Sequence, residues 1–124
     1  MEARLSVNPK IRTIYFKVQK MEPVVQFWKT VLQVEPHKTF SNWHEFMCSH
    51  VRLGLLLNDF GDTFSGCNCV PVFEFEDHEL LSYIERAKVA GADVILNGLD
   101  DPRLKSVVLR DPFGNEFEFS KFHD

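Results

Sequence analysis

Six side chains that could contact a polar ligand recur on one face of the strands that this sequence predicts. They share the same side of a period-two alternation and combine both signs of charge with one phenol. Such a mixture can line a polar cavity for a small molecule, because charged groups are costly to bury unless something neutralises them. The alternative is a solvated rim or a structural ion-pair network. The six candidate ligand-binding residues are Tyr15, Lys17, Arg52, Glu74, Arg110 and Glu118.

Other reactive residue types lack the spacing that catalytic or metal sites need. His44 follows Trp43 on a short predicted strand and is a candidate ligand or general base, although a histidine with no carboxylate in view is more often a surface residue. Cys67 and Cys69 stand too close together for a zinc-binding pair, and no second pair accompanies them. We therefore predict no metal site, no cofactor and no assigned catalytic residue.

The elements that position these side chains begin with an alternating strand over residues 11–18. A helix follows from about Pro23, a residue type that the first helical turn tolerates, and ends before Pro36. Strands are expected at 38–40, 45–48 and 51–58. The helix carries one apolar stripe at i, i+3, i+4, i+7 and i+8 spacing, formed by Val24, Phe27, Trp28, Val31 and Leu32.

The same order of elements returns after a turn-rich linker at 59–68. We expect a strand at 69–76 and a helix at 78–90, which Gly91 ends and whose stripe contains Leu81, Ile84 and Ala87. Three further strands fit at 93–96, 106–110 and 116–122. The last two are joined by a turn of suitable residue types, Asp111-Pro112-Phe113-Gly114-Asn115.

Displacing one half on the other by 57 positions aligns Phe16 with Phe73 and Val24 with Leu81, a match of chemistry rather than of identity. Two units of one kind that cooperate, within a chain or across a dimer, would explain this repeat. Two unrelated pieces that share only common patterning are the alternative. Period two assigns the helix-packing faces to Ile14, Phe16, Val51, Leu53, Leu55, Phe73, Phe75, Phe117 and Phe119.

Composition excludes several classes of protein. The 124 residues are 44% hydrophobic and 26% charged, which is typical of one globular domain and not of a disordered chain. Net charge is +2 over residues 1–66 and −6 over residues 67–124. The sequence has no basic stripe of the kind that binds nucleic acid, so we expect no nucleic-acid partner. No apolar run approaches membrane-spanning length, residues 1–10 lack a signal-peptide core, and three cysteines cannot all pair within one chain. We expect a cytoplasmic protein with no membrane partner.

These residues resemble a known family. The doubled strand-helix-three-strand unit, the opening segment with Phe27 and Trp28, and above all the ending Asp111-Pro112-Phe113-Gly114-Asn115-Glu116-Phe117-Glu118-Phe119 are similar to the vicinal oxygen chelate superfamily. That superfamily contains glyoxalase I, bleomycin-resistance proteins, fosfomycin-resistance enzymes and extradiol dioxygenases. The resemblance covers about residues 11–122. It implies one α+β domain over 1–124, with paired βαβββ modules (about 11–58 and 69–122) that form a curved mixed sheet with helices on its outer face.

The resemblance also implies where a metal would bind. Metal-dependent members place ligands at four strand positions, which fall here on Thr13, Gly54, Val70 and Glu118. Only Glu118 has a carboxylate, since Gly54 and Val70 offer no donor and Thr13 a weak one. We therefore expect a metal-free relative, similar to bleomycin-resistance proteins that sequester a ligand between halves.

Two other functions stay open. One is a metal-dependent lyase, transferase or dioxygenase that uses Glu118 with non-standard partners such as His44 or Glu74, and the other is a scaffold with a vestigial hollow. Whether the protein is an enzyme is therefore undecided from sequence. We also expect a homodimer, with Trp28 and Trp43 as large contact residues. The expected ligand is a small organic molecule that carries positive charge or hydrogen-bond donors, held mainly by Glu118 and Glu74 with Tyr15 stacking beside it. If the basic residues neutralise those carboxylates, an anionic or neutral ligand is preferred instead.

Overall fold

A computed structural model describes residues 11–59, 61 and 69–121, and it shows ten elements in two successive groups of five. The first group has one strand, one helix and then three strands, and the second repeats that order. The predicted α+β fold of strand-helix-three-strand units is confirmed. The elements are β1 (Thr13–Val18), α1 (Met21–Leu32), β2 (Lys38–Phe40), β3 (Trp43–Cys48), β4 (Val51–Leu57), β5 (Val72–Glu74), α2 (Asp77–Val89), β6 (Asp93–Asn97), β7 (Ser106–Arg110) and β8 (Glu116–Ser120).

Each group forms its own four-stranded sheet with the same topology. The first sheet has the order β1-β4-β3-β2 and the second β5-β8-β7-β6. The strand before each helix pairs in parallel with the last strand of its group, and the remaining pairs are antiparallel. The strands form two open sheets, each with two edges.

Both sheets turn their apolar faces toward one core, in which the α1 residue Trp28 is central. Its ring stacks on Phe16 of the first sheet at a centroid distance of 6.1 Å. It also contacts Phe117 at 5.1 Å and Phe73 at 6.0 Å in the second sheet. A single continuous cluster of buried side chains therefore includes both groups of elements. The opposite faces of the two sheets point away from this core.

Burial confirms the faces that the period-two pattern predicts. Phe16, Leu55, Phe117 and Phe119 are fully buried, whereas Tyr15 between Ile14 and Phe16 is 46% exposed. A strand that covers a core on one side must alternate in this way. The helices pack on the core-side face of each sheet, so the other face is helix-free and corresponds to the hollow side of the curved sheet that the resemblance implies. We call these two helix-free faces the outer face of the first sheet and the outer face of the second sheet.

Several sequence-based details are wrong. Leu81 is 65% exposed, and its neighbour Leu80 is buried in its place, because α2 begins at Asp77 and its buried stripe runs through Leu80, Ile84 and Ala87. Trp28 has no exposed surface and cannot be a dimer contact. β5 is shorter than the expected strand at 69–76, and most of the expected linker at 59–68 lies outside the described residues.

The predicted turn between the last two strands is present and is held by a buried aspartate. One carboxylate oxygen of Asp111 accepts hydrogen bonds from the backbone N–H groups of Phe113 and Asn115, at 2.9 and 2.8 Å. Gly114 has φ of 93°, a conformation that favours glycine. Burial raises the pKa of Asp111, although these backbone hydrogen bonds act in the opposite direction.

Neither of the two helices in the described part of the chain has the length and apolar character needed to cross a membrane.

Candidate functional site

A cleft of about 700 Å³ lies between the two groups of elements. Its floor and walls come from β1, from the turn between β3 and β4, from the edge strand β5 and from the first turns of α2. Apolar side chains dominate the lining, and the charged ones are Arg52, Glu74, Glu76 and Glu79. The apolar lining includes Ile14, Leu32, Met47, Leu53, Val72, Phe73, Phe75 and Tyr83.

The cleft brings together two of the six candidate residues, Arg52 and Glu74, from different sheets. Tyr15 and Lys17 lie instead on the outer face of the first sheet, opposite Gly54 and Leu56. Arg110 and Glu118 lie on the second sheet, and Arg110 pairs with Glu116. Because the outer faces point away from a shared core, one chain alone does not collect the six residues in a single cavity.

The residues of the second sheet form part of an exposed ionic surface. Arg110 Nη2 lies 3.2 Å from Glu116 Oε2, and both side chains are more than a third exposed. The carboxylate of Glu118 has no ion-pair partner among the described residues. An exposed pair of this kind contributes little to stability. The position of Arg110 is therefore as consistent with a structural ion-pair network as with a ligand site.

A buried carboxylate that the sequence analysis did not select, Glu45, organises the first sheet. It is 3% exposed and lies on the same face as Gly54, its partner across β3 and β4. His37 Nε2 donates to its Oε2 at 2.6 Å, and Trp43 Nε1 donates to its Oε1 at 3.1 Å. Arg52 Nε lies 3.1 Å from Oε2, in an ion pair. Four neighbours from three strands and the preceding loop thus surround one carboxylate, with Lys38 Nζ completing the set at 4.0 Å.

These neighbours stabilise the charged form of Glu45. Burial alone would raise the pKa of its carboxyl, but hydrogen bonds from His37 and Trp43 and the charges of Lys38 and His37 outweigh it, and the pKa is lowered. The signal available in the sequence was the alternation of β3, where Phe46 is a core residue and Glu45 must therefore face the other way. The partners of Glu45 could not be predicted, because they come from neighbouring strands and the register between those strands cannot be read from the sequence.

The residues at the expected metal positions do not fit a divalent ion. The place of Gly54 is covered by the indole of Trp43, and even a Cβ atom there would overlap the ring. Val72, not Val70, is the strand partner of Glu118, and it offers no donor either. No three His, Cys, Asp or Glu side chains come together as a possible metal site anywhere in residues 11–59, 61 and 69–121.

The other reactive side chains, His44 and the cysteines, lie outside such a site. His44 is opposite Leu55, so it lies on the core side of the first sheet and not on the face of Glu45. Cys48 lines the cleft, and burial raises the pKa of its thiol, which keeps it protonated and weakly nucleophilic. Cys48 and Cys69 are both free thiols.

The fold of this chain is similar to that of several solved structures. No protein-family model and no curated protein sequence matches the chain. A glyoxalase-related enzyme from Fulvimarina pelagi superposes with a TM-score of 0.79 at 14% identity, covering 93% of this chain and 89% of that one. A glyoxalase/bleomycin resistance protein from Albidiferax ferrireducens gives 0.73 at 15% identity, with 88% and 96% covered.

A third similar structure is the fosfomycin resistance protein FosX from Listeria monocytogenes, in a complex with Mn(II) and dihydroxypropylphosphonic acid. Its TM-score is 0.71 at 16% identity, and the alignment covers 94% of this chain and 91% of that one. All three neighbours are vicinal oxygen chelate proteins. At such low identity the likeness concerns the fold.

Proposed function

We propose that this chain, which has the vicinal oxygen chelate fold, binds a small organic molecule in the cleft between its two modules and sequesters it without altering it. The observation that carries the proposal is the cleft itself. Its volume of about 700 Å³ falls within the range of small-molecule sites, which is roughly 300–1,000 Å³. Its lining, mostly apolar with a few charged groups, is also typical of such sites.

The charges favour a cationic ligand. Three carboxylates, Glu74, Glu76 and Glu79, line the cleft against one guanidinium, Arg52, so the sum is −2. The positive end of the α2 dipole, near Glu76 and Glu79, cancels about half a charge. A negative, partly apolar concavity attracts an ammonium group attached to an apolar body.

We further propose that binding needs no divalent ion. The support is the mismatch at Thr13, Gly54 and Val70, together with the indole that covers Gly54. The alternative of a metal-dependent lyase, transferase or dioxygenase is not favoured. His44 lies on a different sheet and face from Glu118, and Glu74, which shares the face of Glu118, does not form with it a group of three donor side chains in the described part of the chain.

Of the remaining candidate ligand contacts, Tyr15, Lys17, Arg110 and Glu118 would reach such a molecule only if a second chain covered the outer faces. We propose a homodimer, in which the exposed apolar strand β6 replaces Trp28 as the contact. Val94, Ile95 and Leu96 of this edge strand are between 41% and 51% exposed. The free thiols of Cys48 and Cys69 fit the proposed cytoplasmic location.

Sedimentation at micromolar concentration tests the homodimer. The dimer should dissociate in Leu96→Lys, because a charge would be buried at the contact. Leu81→Lys, at a comparably exposed leucine of α2, is the matched control and should leave the dimer intact. A wild-type monomer of 14.4 kDa would contradict the proposal.

A melting-temperature screen tests the ligand class. Polyamines and aromatic amines are compared with carboxylic acids of matched shape, such as 2-phenylethylamine against 3-phenylpropionate. The amines should stabilise the protein, and Glu79→Gln should reduce that stabilisation. Glu85→Gln is the control, since Glu85 lies on the same helix outside the cleft, where it pairs with Lys88. Stabilisation by acids alone would show that the proposed charge preference is wrong.

A further inference from the structure

Tyr83 of α2 lines the cleft, and both faces of its ring are covered by other side chains. The ring of Phe75 stacks on one face, with centroids 4.2 Å apart and an angle of 27° between the planes. The guanidinium carbon of Arg86 lies 4.1 Å from the centroid of the Tyr83 ring. Two groups this close to the ring cannot lie on the same face without overlapping, so Arg86 covers the face opposite Phe75. The edge of the phenol, with its hydroxyl, is therefore the part of Tyr83 that a ligand can contact.

The neighbours of Tyr83 hold its ring in place. Arg86 is fixed near the end of α1, because its Nε donates a hydrogen bond to the backbone carbonyl of Val31 at 3.3 Å. The ring of Phe119 meets the Tyr83 ring edge to face, with centroids 6.4 Å apart. A side chain held in this way loses little conformational entropy when it contacts a ligand.

Glu79 lies one helical turn before Tyr83, so the two side chains project from the same side of α2. Both residues line the cleft. Neither the carboxylate of Glu79 nor the hydroxyl of Tyr83 has a hydrogen-bond partner among the residues that the structure describes. A carboxylate and a hydroxyl oxygen one turn apart can both accept hydrogen bonds from one group that has several N–H donors.

The covered faces of Tyr83 distinguish two kinds of cation. A primary ammonium has three N–H donors and one positive charge, so it matches the acceptors of Glu79 and Tyr83. A quaternary ammonium has no N–H donor, and proteins bind it against the open faces of aromatic rings. Tyr83 has no open face, because Phe75 and Arg86 cover both, and the charge of Arg86 also repels a second cation at this ring.

We propose that Tyr83 is a specificity-determining residue of the cleft, which together with Glu79 selects ligands with a primary ammonium over ligands with a quaternary one. Glu79 accepts one hydrogen bond and neutralises the charge, and the hydroxyl of Tyr83 accepts a second. This inference rests on the proposed function, because it assigns the ammonium of the expected cationic ligand to one place in the cleft.

The test compares 2-phenylethylamine with its N,N,N-trimethyl derivative, which keeps the ring and the charge but has no N–H donor. Calorimetric titration of the wild type should give at least tenfold tighter binding of the primary amine. Tyr83→Phe should weaken binding of the primary amine about fivefold and leave that of the trimethyl derivative unchanged, because the variant removes only the hydroxyl. Thr30→Val is the control, since it removes an exposed hydroxyl of α1 outside the cleft and should change neither affinity.

The outcomes distinguish a failure of this inference from a failure of the proposed function. Equal wild-type affinities for the two probes, both lowered by Glu79→Gln, would overturn the selection by Tyr83 and leave a cleft that binds cations. An affinity for the primary amine that Tyr83→Phe does not change would also overturn that selection. A lack of saturable binding of either probe would overturn the proposed function and this inference together.

Discussion

The indole of Trp43 lies directly over Gly54, its neighbour on the adjacent strand, and occupies the space that any side chain at position 54 would need. This contact fills position 54, one of the four places where the sequence analysis located the expected metal ligands. The same indole donates a hydrogen bond to the buried carboxylate of Glu45.

Gly54→Ala should therefore displace Trp43 and destabilise the protein by about 1–3 kcal/mol, the usual cost of overpacking. Urea unfolding measures the loss. In a Trp43→Phe background the same substitution should cost less, because the shorter ring leaves room for the methyl group. Equal costs in the two backgrounds would mean that Trp43 does not occupy this space.

The buried Glu45 predicts a specific dependence of stability on pH. Its pKa in the folded protein is lowered from the ordinary glutamate value of 4.5, so the carboxylate stabilises the fold above that pH. This contribution is lost as the pH falls through the folded pKa. Free energies of unfolding between pH 7 and pH 3 should therefore fall more steeply below pH 4.5 for the wild type than for Glu45→Gln.

Glu85→Gln serves as the control for that comparison, since Glu85 is an exposed residue whose partner is Lys88. Its profile should follow that of the wild type. Parallel profiles for the wild type and Glu45→Gln would show that the network around Glu45 does not favour its charged form.

Two adjacent leucines of α2 test the phase of that helix. Leu80 is 2% exposed and Leu81 is 65% exposed. Leu80→Ala should cost about 2–5 kcal/mol, because it leaves a cavity in the core. Leu81→Ala should change the free energy of unfolding by no more than about 0.5 kcal/mol. The reverse ranking would restore the sequence-based stripe through Leu81.

Nickel, cobalt, manganese and zinc should leave the melting temperature almost unchanged. A metal that bound the native state at a hundred times its dissociation constant would add about 2.7 kcal/mol, which a melting curve detects easily. Chelator-treated protein provides the baseline. A large metal-dependent increase that Glu118→Ala abolishes would establish a metal site at the family position.

Alternation of residue type predicted the order of the elements and the face of most strands, whereas the fold of paired modules came from the family resemblance. Phe16 and Leu55 are buried where the period-two pattern put them, because only one face of each sheet meets the core. Leu80 and Leu81 are chemically identical neighbours, so the sequence could not decide which one the helix buries. A large aromatic residue such as Trp28 suits a core as well as an interface, and only its contacts with both sheets distinguish the two.

The candidate site was less predictable, since it depends on how separate elements meet. Arg52 and Glu74 line one cleft because β5 lies beside the turn between β3 and β4, a relation between two sheets that no pattern within one strand contains. The cluster around Glu45 likewise requires the register of β3 against β4. The strand face and the charge together selected Arg110, which pairs with Glu116 on the surface.

The central claim is that the cleft binds a small cationic molecule without a metal. Its most direct test is a calorimetric titration of 2-phenylethylamine into chelator-treated protein, for the wild type, Glu79→Gln and Glu85→Gln. We predict saturable binding of one molecule per chain, weakened about fivefold to tenfold by Glu79→Gln and unchanged by Glu85→Gln. Binding of the amine that Glu79→Gln leaves unchanged, tighter binding of 3-phenylpropionate, or no saturable heat from the amine would contradict the claim.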